Sequence, residues 1–110
     1  MAKNRAVSRK PTSESITAPY AIHALELALA REKSAWRDWE LRSAAAEIDF
    51  MKRVCRKAQW SDDYRPLVDK LTDELKAAAT VIQNRDTTRI TAMHSKLEQA
   101  VFDLRDRLYR

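Results

Sequence analysis

Three soft ligand residues are scattered along the chain: His23, Cys55 and His94. None lies three or four residues from another, the spacing that would turn two of them toward one metal ion. No metal site and no cofactor are therefore expected. Cys55 shares a helical face with Ile48 and Met51, which reads as a buried, inert thiol. Arg53, Arg56 and Lys57 beside it could activate it only if it were exposed. Glu40 and Glu47 sit near apolar residues, but two carboxylates on one helix make no acid/base pair without a cleft. The chain reads as non-enzymatic.

Two other constellations could bind. Lys52, Arg53, Arg56 and Lys57 can line one side of a helix and meet phosphates, and together with the basic residues of the N-terminal tail they make nucleic acid the alternative partner. Basic residues near a helix C-terminus also arise simply because they complement the helix dipole. Trp36 and Trp39 lie three apart, of a residue type enriched at interface hot spots, with Leu25 and Leu29 extending the patch. Phe102 and Tyr109 lie seven apart, off the main apolar stripe of their helix, and form a second aromatic face. Arg37 and Arg42 would be a polar rim. These anchors point to another protein, such as a transcriptional regulator or a secreted substrate, as the favoured partner.

The elements that must position these groups are helices. The chain has 110 residues, 45% hydrophobic and 34% charged, and contains no glycine. Without glycine there is no phosphate-cradling loop, and positive φ must fall to other residues. Residues 1–12 carry Lys3, Arg5, Arg9 and Lys10 with no acid, and read as a disordered basic tail. The remainder, 13–110, is one helical domain and almost neutral, with 17 Lys+Arg against 16 Asp+Glu. A single cysteine suits a reducing compartment, and no apolar run reaches the ~18–20 residues of a membrane helix. A cytoplasmic protein with no membrane contact is expected.

From Tyr20 to Trp60 there is neither proline nor glycine. The pattern predicts one helix over 20–60, roughly 60 Å long, with only weak signals for a break near Ser34 or Ser43. Ser13 or Thr17 is the expected cap at its start, with Pro19 tolerated in the first turn. Asp62 or Asp63 should cap a second helix over about 64–83, whose stripe runs Leu67/Val68, Leu71, Leu75, Ala78, Ile82. Asn84 should end it in a left-handed conformation, and Asp86 or Thr87 should cap a third helix over about 88–108. The third stripe is Ile90, Met93, Leu97, Val101, Leu104.

The expected fold is all-α: the long N-terminal helix packed on an antiparallel hairpin, like a three-helix bundle. The hairpin can cover only half of the long helix, and the helix changes face. Leu41, Ala44, Ile48, Met51, Cys55 and Ala58 cluster on a side rotated from Ile22, Leu25, Leu29 and Trp36 and should form the core with the hairpin. Ile22, Leu25, Leu29 and Trp36 would then overhang as an apolar patch, and a homodimer would bury it. The form is similar to that of small bacterial antiactivators and secretion chaperones. That likeness is one of architecture and touches no specific residue. It implies a helical regulator that masks another protein's assembly or dimerisation surface.

Overall fold

The computed structural model describes residues 16–110, and the basic tail and the Ser13 cap lie outside them. Four helices follow in order: α1 (Ala18–Arg37), α2 (Leu41–Lys57), α3 (Arg65–Gln83) and α4 (Ile90–Leu108), the last preceded by a 3₁₀ turn, Thr87–Arg89. The all-α class holds, but the single helix over 20–60 does not.

The chain reverses at Asp38-Trp39-Glu40. The Trp39 N–H donates to the Trp36 carbonyl and the Glu40 N–H to the Ala35 carbonyl, 2.9 and 2.7 Å. This is the paired 5→2 and 6→1 closure of a Schellman C-cap, which needs a left-handed residue between the last helical turn and the exit. Trp39 supplies it, at φ 60°. The same device ends α3. Arg85 and Asp86 donate to the carbonyls of Ile82 and Val81, and Arg85 sits at φ 52°. The left-handed residue is thus Arg85 and not Asn84, which stays right-handed at φ −86°. In a chain without glycine these two caps fall on residues that carry a Cβ, at ~1–2 kcal/mol each.

Helix starts depend little on side-chain caps. Thr17 and Tyr64 are the N-cap residues of α1 and α3, and neither makes a capping bond. Asp62 and Asp63 therefore do not cap α3. Proline in the first turn of both helices removes a donor that would otherwise go unpaired. Asp86 does behave as expected, accepting from the Thr88 N–H at 3.2 Å.

Folding α2 back on α1 replaces the expected three-helix form by four helices. Each packs on its neighbours in a ring: α1 on α2 and α4, and α3 on α2 and α4. Cross-links such as Arg31–Glu47 and Arg107–Asp63 show the sequential pairs to be antiparallel. Buried alanines 21, 28, 35 and 44 leave room for close approach of α1 and α2. The Gln59 N–H donates to the Ile16 carbonyl at 2.7 Å and ties the open end of this hairpin together.

The reversal also fills the expected overhang. Leu25 is fully buried, and Leu29 and Trp36 are each 6% exposed. They join Ile48, Met51, Leu71, Leu75, Leu97 and Leu104 in one continuous core. Leu41, Leu67 and Ile90, expected in the core, lie half-buried at its margin.

Candidate functional site

With the overhang gone, the expected partner-binding residues divide. Leu25, Leu29 and Trp36 are interior and cannot be contact anchors. Trp39, Phe102 and Tyr109 are exposed, at 52%, 56% and 76%. The structure does not bring these three together. Trp39 stands at the α1–α2 reversal, whereas Tyr109 caps the C-terminus of α4 at the opposite end of the antiparallel bundle. Arg105 lies over the Tyr109 ring, 6.0 Å from its centroid.

Trp39 is the best-supported of them. Its ring meets buried Trp36 edge to face, with centroids 5.8 Å apart. The left-handed backbone and this contact together fix the indole at the tip, with half of its surface open to solvent. Arg37 and Arg42 flank it and are exposed, as a rim requires. Immediately beyond, Leu41, Arg42, Ala79, Ile82 and Arg85 line a shallow groove of about 360 Å³ between α2 and α3. An aromatic anchor beside a partly apolar groove with a charged edge is a common layout for protein contact.

The basic cluster is dispersed by the fold. Arg53 turns toward Phe50, 5.9 Å from the ring centroid, and Lys57 is exposed at the end of α2. Lys52 and Arg56 line a second groove of about 530 Å³ farther along the α2–α3 seam. There they meet Arg65 and Lys76 of α3, with Asp69 the one acid and Cys55, Val68 and Trp60 among the apolar lining. Arg65 and Lys76 carry no sequence signal linking them to Lys52 and Arg56, because only the antiparallel packing of α2 and α3 brings the four together.

Cys55 is buried, as its helical face implied. Burial pushes its thiol up to about 11, partly offset by the Thr72 hydroxyl beside it. A thiol held protonated in this way is a poor nucleophile.

The most unusual polar group is Glu32. It is fully buried among the apolar residues of α1. One carboxyl oxygen lies 2.6 Å from Nε2 of His94 on α4, and the other has no hydrogen-bond partner. Neither residue belongs to a motif in the sequence. A signal existed, since Leu25, Leu29, Glu32 and Trp36 follow one another at steps of four, three and four. His23 is exposed and Glu47 pairs with Arg31 at 3.0 Å. Among the described residues no group of three or more His, Cys, Asp or Glu is placed to hold a metal ion. No helix there is long and apolar enough to cross a membrane.

Comparison of the chain with protein-family models, with curated proteins and with solved structures finds no match.

Proposed function

We propose that the protein is a non-enzymatic helical regulator that docks on another protein through the tip of its α1–α2 hairpin and masks that partner's assembly surface. The observation that carries this reading is Trp39. A solvent-exposed tryptophan at φ 60° raises backbone energy and contributes little to the core, whereas asparagine or glycine would close the same cap more cheaply. Strained backbone positions cluster at functional sites, and this one presents an exposed aromatic. The groove beside it, with Arg42 and Arg85 at its edge, would accept the partner's apolar side chains. Phe102 and Tyr109, at a distance from the tip, are a secondary surface. The buried free cysteine suits a partner met in a reducing compartment such as the cytoplasm.

Affinity capture from the native cell, wild type beside Trp39→Asn, tests the reading. Asparagine tolerates the left-handed backbone, so the fold should persist and a specific partner should be lost. If the same proteins are captured by both, the tip is not the docking surface. The apolar overhang that called for a homodimer is filled from within the chain, so self-association would have to use the tip or an exposed surface such as that of Phe102 and Tyr109. Light scattering that gives a 12.7 kDa monomer would leave the tip to a foreign partner.

A further inference from the structure

The larger α2–α3 groove has a charge arrangement that the fold itself does not require. Lys52, Arg56, Arg65 and Lys76 surround it against a single acid, Asp69. None of the four cations forms an ion pair among the described residues. The helix dipole accounts for Arg56, in the last turn of α2. It does not account for Arg65, which opens α3 at the end where a cation is disfavoured. Nor does it account for Lys52 or Lys76, which lie away from the last turns of their helices. Like charges gathered on a concave wall repel one another, and a bound anion relieves that repulsion.

The groove also carries an oriented aromatic. The indole N–H of Trp60 donates to the Cys55 carbonyl at 2.9 Å, and its ring packs on Tyr64 with centroids 5.6 Å apart. The ring is held in place while remaining partly open to solvent. At about 530 Å³ the groove is within the range that holds a small organic molecule. We infer that it binds a phosphate-bearing ligand with a planar aromatic body, that is, a nucleotide, either free or within a single strand. The phosphates meet the cations, the base lies against Trp60, and the Asp69 carboxylate accepts from a donor on the base or sugar. This site is separate from the hairpin tip and does not depend on what docks there.

The test is isothermal titration of the full chain at low salt with inorganic phosphate, AMP, ATP and an oligodeoxyadenylate of about ten nucleotides. AMP and ATP should bind more tightly than phosphate. The paired variant Arg56→Ala/Lys76→Ala should weaken nucleotide binding by about tenfold or more. The same variant should leave the melting temperature of the free protein within a few degrees of wild type, because relief of repulsion offsets the lost helix-dipole contribution of Arg56. A residue that merely supported the fold would lower both. Trp60→Phe should weaken AMP and spare phosphate. An oligonucleotide that binds more tightly per site than AMP identifies a strand as the source of the nucleotide, and the reverse order identifies the free molecule. Binding that survives Arg56→Ala/Lys76→Ala overturns the site and assigns the affinity to other basic residues. Equal affinity for phosphate and AMP overturns the ligand class, and no binding of any probe overturns the inference outright.

Discussion

Replacing His94 by alanine should damage this fold far more than replacing Glu32 by methionine. Glu32 is 0% exposed, with one oxygen bonded to His94 and the other without a partner. An unpaired buried acceptor costs about 1–3 kcal/mol, and a hydrogen bond contributes about 0.5–1.5 kcal/mol, more where one partner is charged. The two roughly cancel. Glu32→Met removes both and keeps the side-chain volume, leaving behind only His94, whose side chain is 12% exposed and can reach water. Its expected effect is within about 1 kcal/mol. His94→Ala leaves the whole carboxyl stranded, for which about 3–5 kcal/mol is the usual loss. For a domain of this size that lowers the melting temperature by about 12 °C or more. Glu32→Met/His94→Leu should be at least as stable as the wild type, with a gain of up to about 4 kcal/mol. Urea unfolding followed by helical circular dichroism measures all three. If Glu32→Met loses as much stability as His94→Ala, the pair is a net stabiliser of the bundle and the reasoning fails.

Further expectations follow from the two left-handed caps, the thiol and the Asp63–Arg107 ion pair. Arg85→Gly should stabilise by about 1 kcal/mol by relieving a left-handed arginine, which a thermal melt would register. Trp39→Gly should change stability little, since backbone relief offsets a lost edge-to-face contact of about 0.5–1.5 kcal/mol. Cys55 should resist Ellman's reagent at pH 8 until denaturant is added, and rapid native labelling would contradict its burial. Its thiol is raised from 9.0 to about 11 in the folded chain. The stabilising contribution is therefore intact below pH 9 and lost as pH rises through 11, about 2–3 kcal/mol in all. Cys55→Val should remove that alkaline component from the pH–stability curve. The Asp63 carboxyl is lowered by the Ser61 hydroxyl and then by Arg107, so its contribution is present above the ordinary aspartate range and lost as pH falls through the folded value. Asp63→Asn should flatten the acid limb, and an unchanged limb would refute the assignment. Leu71, fully buried, should not tolerate Leu71→Asp, and an unchanged melt would place it outside the core.

What the sequence determined by itself was mostly local. The stripes of α3 and α4 are set by 3.6-residue periodicity within single helices, and the structure buries Leu71, Leu75, Ile82, Met93, Leu97, Val101 and Leu104. The buried state of Cys55 was legible from the same periodicity. The reversal at Trp39 was not, because the usual glycine or asparagine marker is absent. The shift of apolar face between Ile22–Trp36 and Leu41–Ala58 was visible, and it reflects two helices with separate stripes, not one helix with an overhang. Only tertiary packing decided between them: folding back buries Leu25, Leu29 and Trp36, which more than offsets one left-handed tryptophan at ~1–2 kcal/mol. The same packing decided both candidate sites. Trp39 becomes a tip only once the chain turns there, and Lys52, Arg56, Arg65 and Lys76 share a groove only once α2 lies antiparallel to α3. Glu32 meets His94 across 62 positions of chain, a pairing that periodicity within either helix cannot encode.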